Sequence, residues 1–79
     1  MTPDEATAAV RGAITRVAPD VDIALLDGDV ELRGELDLDS MDFLNVLIAI
    51  AERTGIEVPE RDYPEVGTFR GLVDYLAHA

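Results

Sequence analysis

The chain has 79 residues, a length typical of one small domain, and its 17 acidic and 6 basic residues give a formal net charge of -11. So short a chain has little room for an active-site cleft and its scaffold, which disfavours an enzyme. The negative field disfavours nucleic acids and anionic lipid surfaces as partners and favours basic protein surfaces. We expect one globular domain over residues 1–79, a monomer that does not bind nucleic acid or membranes.

Cysteine is absent, so the chain has no disulfide and no thiolate of its own. Small secreted domains usually need such cross-links. Residues 1–14 have acidic side chains where a secretory signal peptide has basic ones, and no apolar run reaches membrane-spanning length. These features predict the cytoplasm.

The first helix has a clear start in the sequence. Thr2 is a predicted N-cap, Pro3 suits the first helical position, and Glu5 stands at the reciprocal capping site. Pro19 predicts its end. Between them, one apolar stripe follows helical spacing: Ala6, Ala9, Val10, Ala13, Ile14 and Val17.

Residues 18–38 combine loop signals with apolar side chains. Gly28, Gly34 and several aspartates indicate a loop, and the alternation from Val30 to Arg33 is compatible with a short strand, with Asp27-Gly28 as a hairpin turn. We favour a packed, irregular connection, because no partner strand is evident elsewhere. The side chains expected to pack are Ile23, Leu25, Leu26, Val30, Leu32, Leu36 and Leu38.

A second helix is predicted from Asp39, its N-cap, to about Arg53, with Gly55 as the C-terminal cap. Residues 59–66 then form a linker with at most one short helical turn, because Pro64 disfavours a longer helix. Thr68 caps a last helix with the apolar stripe Phe69, Leu72, Val73 and Leu76. The fold class is therefore all-α, an irregular four-helix bundle with three main helices, one short third helix or turn, and a long loop between helices one and two.

The second helix has two apolar faces. Phe43, Val46, Leu47 and Ile50 share the face expected to enter the core. At 100° per residue, Met41 and Ile48 lie nearly opposite, beside Asn45 and Glu52. Apolar side chains ringed by polar ones suggest a docking patch, although scattered exposed apolar residues are equally common.

Three segments carry a resemblance to one family. Residues 36–42, LDLDSMD, resemble the attachment motif of acyl carrier proteins, in which Asp-Ser-Leu opens the second helix. Residues 55–59, GIEVP, are similar to the family's Ile-x-Ile/Val-Pro segment, and residues 68–76 to its last helix, which begins with Thr. The three segments have the family's order and spacing, and the resemblance covers essentially the whole chain.

The resemblance implies that Ser40 Oγ bears a 4'-phosphopantetheine donated from coenzyme A and that cargo travels as a thioester on its terminal thiol. A helix N-terminus favours a phosphate, but the local sequence alone favours a plain N-cap or first-turn serine, and only the whole-chain resemblance outweighs that interpretation. The implied partners are a phosphopantetheinyl transferase, an acyl- or aminoacyl-loading enzyme, and synthases or transferases. Residues expected to contact partners are Asp39, Met41, Asp42, Asn45, Ile48 and Glu52.

In the family, the interior of the bundle can shelter an acyl chain. The residues that correspond here are Phe43, Val46, Leu47, Ile50, Ile56, Val58, Leu72 and Leu76. The chain departs from the fatty-acid carriers in three places: Met41 replaces Leu, Ala49 and Ala51 stand where acidic or polar residues are usual, and Tyr63-Pro64 interrupts the third helix. A dedicated carrier for polyketide synthesis, nonribosomal peptide synthesis or aminoacyl transfer is therefore at least as well supported as one for fatty acids.

Two other functions are compatible with the composition. One is an acidic helical interaction module without a prosthetic group, and the weaker one is a metal-buffering protein. Residues 27–38 begin like a calcium loop, but Leu32 and Leu38 occupy the positions where Gly and Glu are required. We predict no catalytic residue and no metal site.

Overall fold

The computed structural model describes residues 1–22, 26 and 28–79. Within them, regular structure consists of helix α1 (Pro3–Val17), helix α2 (Ser40–Thr54), a 3-10 helix (Glu60–Val66) and helix α3 (Phe69–His78). Helix α1 packs against both α2 and α3, and α3 packs against the 3-10 helix. The predicted all-α, irregular four-helix bundle is confirmed.

The helices begin and end where local sequence signals placed them. At the start of α1, Thr2 Oγ1 accepts a hydrogen bond from Glu5 N at 3.1 Å, and Glu5 Oε1 accepts one from Thr2 N at 2.8 Å. Thr68 Oγ1 accepts from Gly71 N at 3.0 Å to cap α3. Helix α2 ends at Gly55, whose φ of 77° is a left-handed conformation that glycine adopts without a Cβ clash.

The segment before α3 is more helical than the sequence predicted. Residues Glu60–Val66 form a 3-10 helix with Pro64 inside it, which is the short third helix of the predicted bundle but is longer than a single turn. The fixed φ of proline lies within the range of a 3-10 helix, and the missing N–H removes only one hydrogen bond. Proline therefore excludes a longer α-helix here but not a 3-10 helix.

The 3-10 helix lies tightly against α3. A Cβ on Gly71 would clash with the carbonyl oxygen of Glu65, so a larger residue would separate the two elements. Tyr75 Oη also donates a hydrogen bond to Asp62 Oδ2 at 2.7 Å. This bond stabilises the neutral phenol and, with some burial, raises the pKa of Tyr75.

The connection between α1 and α2 is packed and irregular, as we favoured. Leu26, Val30, Leu32 and Leu38 are buried, and Leu36 is partly buried. Instead of the short strand that Val30 to Arg33 suggested, the described residues contain one isolated antiparallel bridge, between Glu31 and Thr68. The predicted packing of Ile23 and Leu25, and the turn at Asp27, lie outside the described residues.

The core contains the predicted apolar stripes. All of its described buried side chains are hydrophobic, and none is polar or charged. From α1 it includes Ala6, Ala9, Val10, Ala13 and Ile14, with Val17 partly buried; from α2, Phe43, Val46, Leu47, Ala49 and Ile50; and from α3, Phe69, Leu72, Val73 and Leu76. No helix in the described part of the chain is both long and apolar enough to cross a membrane.

Candidate functional site

Ser40 is the first residue of α2, and its side chain is exposed. Asp39 precedes it in an extended conformation and accepts a hydrogen bond from Asp42 N at 2.8 Å through Oδ1. The prediction of Asp39 as the N-cap is therefore confirmed. Two residues earlier, Asp37 has a φ of 57°, a left-handed conformation that aspartate tolerates better than most residues, at the point where the loop reaches α2.

The start of α2 leaves backbone donors open to an anion. The first helical backbone bond of α2 runs from Phe43 N to Asp39 O at 2.9 Å. The side chain of Asp39 also accepts a hydrogen bond from the amide of Asp42. The amides of Ser40 and Met41 have no partner among the described residues. Free amides and the positive end of the helix dipole both favour a phosphate on the Ser40 hydroxyl.

One cation lies at this hydroxyl. Arg33, in the connection between α1 and α2, donates a hydrogen bond from Nη2 to Ser40 Oγ at 2.9 Å. Sequence reasoning missed this contact, because nothing in the pattern of an irregular loop shows which way a side chain seven residues before Ser40 points.

Ser40 also lies beside an open apolar groove of about 470 Å³ between α2 and the 3-10 helix. On one wall the rings of Phe43 and Tyr63 meet edge to face, with centroids 5.7 Å apart and an angle of 87°. We call this the Ser40 groove. It is lined by Arg33, Ser40, Phe43, Leu44, Tyr63, Pro64 and Gly67.

The residues expected to shelter an acyl chain lie mostly in the core. Val46, Ile50, Leu72 and Leu76 have no exposed surface, while Phe43 and Leu47 are buried with 6% exposed each. Ile56 and Val58 are partly buried against the core. Phe43 also lines the Ser40 groove, and Leu47 and Val58 line a second, smaller depression of about 230 Å³ on the other side of Leu44.

The residues expected to contact partners lie on the solvent face of α2. The side chains of Met41 and Ile48 are 67% and 54% exposed. Leu44, 38% exposed, extends this apolar stripe and was missed, although its spacing of three residues from Met41 and four from Ile48 is the helical signal for a shared face. We call these three residues the α2 patch.

Polar residues surround the α2 patch. Asp39, Asn45 and Glu52 are exposed, and Asp42 is partly buried. Glu52 Oε2 forms an ion pair with Arg16 Nη1 of α1 at 2.9 Å, so part of its charge is compensated within the chain. No group of three or more metal-binding side chains occurs in the described part of the chain.

A comparison with known protein families identifies the family of this chain. The sequence model of the phosphopantetheine attachment site matches residues 8–76. The chain belongs to the acyl carrier protein family. The cofactor of this family is 4'-phosphopantetheine, and its members are carriers rather than enzymes, so the family confirms both the expected cofactor and the expectation that the chain is not an enzyme.

Three relatives are themselves named as acyl carrier proteins. The chain is similar to the mitochondrial protein of Saccharomyces cerevisiae, with 31% identity over 82% of this chain and 52% of the relative. It is 28% identical to the protein of Syntrophobacter fumaroxidans, over 72% of this chain and 70% of the relative. It is 33% identical to that of Acidothermus cellulolyticus, over 57% and 54%. The chain thus spans about half the length of two of these relatives.

Proposed function

We propose that the chain carries acyl or aminoacyl intermediates as thioesters on a 4'-phosphopantetheine attached to Ser40. The observation that carries the proposal is the position of Ser40, an exposed hydroxyl at the first residue of α2 and within the segment that matches the attachment-site family. When bound, the group supplies the terminal thiol that a chain without cysteine lacks.

The residues around Ser40 fit this group. The open amides of Ser40 and Met41 suit the phosphate, Arg33 provides a positive charge at Oγ, and the Ser40 groove offers an apolar surface beside it. During attachment, Ser40 Oγ forms the bond to phosphorus and gives its proton to the transferase, while the nucleotide part of coenzyme A leaves. The chain needs no base of its own for this step.

The proposed partners are a phosphopantetheinyl transferase, a loading enzyme, and synthases or transferases that use the cargo. The exposed α2 patch supports docking on this face, because clustered apolar side chains act as anchors that exclude water. Asp39, Asp42, Asn45 and Glu52 form its polar rim, which favours basic partner surfaces at long range. Asp39 would also serve recognition by the transferase.

Pathway and compartment remain predictions. Fatty-acid, polyketide and nonribosomal peptide synthesis are all compatible with the chain, and Ala49 is buried, so an acidic residue there would be costly. The cytoplasm stays the proposed compartment, with the mitochondrial relative from yeast as the reason to test the organelle as well. The acyl chain is proposed to lie against the apolar side chains of α2, at the Ser40 groove or within the core.

The exposed α2 patch also favours a second function, an interaction module without a prosthetic group. Incubation with a phosphopantetheinyl transferase and coenzyme A, followed by intact mass spectrometry, separates the two. A carrier gains the mass of one phosphopantetheinyl group. An unchanged mass after incubation with several transferases of broad specificity would reject the carrier function for this chain.

A further inference from the structure

Arg33 differs from the other arginines whose contacts the structure gives. All six basic residues of the chain are arginines. Two of them pair with carboxylates, Arg16 with Glu52 and Arg70 with Asp29. Arg33 instead donates to the neutral hydroxyl of Ser40, and within the described residues its guanidinium forms no ion pair.

A neutral hydroxyl is an unusual acceptor for the Arg33 guanidinium in a chain with 17 carboxylates. A guanidinium has five N–H donors in a planar fork that matches the paired oxygens of a carboxylate or a phosphate. The single bond to Ser40 Oγ uses one donor, and Arg33 is exposed, so the others are available on the solvent side of Ser40. The geometry places a cation at the oxygen that our proposed function modifies.

We propose that Arg33 binds the phosphodiester that joins the prosthetic arm to Ser40, an inference that rests on the proposed function. Once Ser40 Oγ carries phosphorus, the non-bridging phosphate oxygens would be two covalent bonds away from Oγ. A guanidinium already 2.9 Å from Oγ reaches them with a small side-chain rotation and can bind two of them with parallel hydrogen bonds.

The contact has a consequence for the path of the arm. Arg33 and Ser40 both line the Ser40 groove, together with Phe43, Leu44 and Tyr63. A phosphate held between Arg33 and the start of α2 would therefore lie at the edge of this groove, so that the first part of the arm could rest on its apolar surface. Arg33 is therefore a positioning residue for the prosthetic group.

The test compares the protein loaded with phosphopantetheine and the unloaded protein in three variants. Arg33→Gln removes the charge, Arg33→Lys keeps the charge without the planar fork, and Arg11→Gln removes a positive charge from an exposed site on α1 as the matched control. Each is loaded to completion with excess transferase and coenzyme A and checked by intact mass. Phosphorus NMR of the phosphodiester and the melting temperature are then measured for both forms.

In the wild type, loading should raise the melting temperature by about 2–4 °C at low salt, because a new charge-assisted contact forms. Arg33→Gln should lose this rise and change the phosphorus chemical shift, Arg33→Lys should give intermediate values, and Arg11→Gln should match the wild type. The effect should weaken in about 0.5 M salt.

Two results would overturn different statements. If the wild type is never loaded, the proposed function fails. If it is loaded, but Arg33→Gln has the same phosphorus shift and the same rise in melting temperature as Arg11→Gln, then Arg33 only anchors the loop in the unloaded form and the inference is wrong.

Discussion

The starts of α1 and α2 both have a side-chain N-cap, but the two caps differ in which backbone amides they occupy. In α1 the capping box is complete, because the side chains of Thr2 and Glu5 each accept a hydrogen bond from the backbone amide of the other residue. Pro3 has no backbone N–H. In α2 the cap is one-sided, since Asp39 Oδ1 accepts from the amide of Asp42 and, among the described residues, no side chain accepts from the amide of Asp39.

The difference decides where a ligand can bind. At α1 only the amide of Asp4 has no partner among the described residues, because Pro3 has no N–H, so an incoming phosphate gains less there. At α2 the amides of Ser40 and Met41 are open, and Arg33 adds a cation at the hydroxyl. An incomplete cap therefore leaves hydrogen-bonding capacity for the proposed prosthetic group, at the cost of some intrinsic helix stability.

The largest effect is expected from Ser40→Ala, which should abolish the mass gain with transferase and coenzyme A. Its far-ultraviolet circular dichroism should stay nearly unchanged, because loss of a first-turn serine costs at most about 1 kcal/mol. The control, Thr2→Ala at the start of α1, should be destabilised by about 1 kcal/mol and still be loaded. Loading of the Ser40→Ala protein would show that another residue is the attachment site.

The next largest effect concerns the outer face of α2 rather than its start. Ile48→Ala should weaken binding to the phosphopantetheinyl transferase by about 1–2 kcal/mol, mainly through faster dissociation, because an apolar anchor is lost. Surface plasmon resonance gives both rates, and Thr15→Ala on the exposed side of α1 is the control. Normal binding by a folded Ile48→Ala protein would mean that the α2 patch is ordinary surface.

A third prediction concerns the contribution of the Asp39 cap to stability. Asp39→Ala should lower the free energy of unfolding by about 1 kcal/mol in urea denaturation, because the amide of Asp42 loses its acceptor. Asp39→Asn keeps an oxygen at the same place and should retain most of that stability. Equal losses in both variants would assign the effect to charge rather than to capping.

Much of the fold was predictable because its signals are local. Thr2, Asp39, Gly55 and Thr68 each mark a helix end through their own conformational or hydrogen-bonding preference, and all four helix ends agree with the structure. The buried stripes of the three α-helices follow from helical periodicity in the same way. The position of Ser40 at the start of α2 depends on such a local signal.

The rest depends on tertiary contacts that a sequence pattern does not contain. The bond from Arg33 to Ser40 joins an irregular loop to a helix, and the Ser40 groove needs Tyr63 from the 3-10 helix to meet Phe43 from α2. The length of the 3-10 helix was underestimated because Pro64 was expected to limit this segment to one turn, whereas proline opposes only the α-helical hydrogen-bond pattern.

The smallest effect is expected at the complete cap of α1. Hydrogen bonds from the backbone and side chain of Thr2 favour the carboxylate of Glu5 and lower its pKa below the ordinary value of 4.5. The folded chain thus releases this proton more readily than the unfolded chain. Glu5 therefore adds stability above the unfolded pKa, and this contribution is lost as the pH falls through the lower pKa of the folded state.

Glu5→Gln keeps an oxygen acceptor for the amide of Thr2 but does not titrate, so it isolates the charged part of the cap. At pH 7 its melting temperature should lie slightly below that of the wild type, and the difference should disappear between about pH 5 and pH 3. Glu57→Gln, an exposed residue outside the helices, is the control for removal of one negative charge. Loading of Ser40 should be as fast as in the wild type, because the cap of α1 is not part of the proposed attachment site. A difference in melting temperature that persists unchanged at pH 3 would exclude titration of Glu5 as its cause.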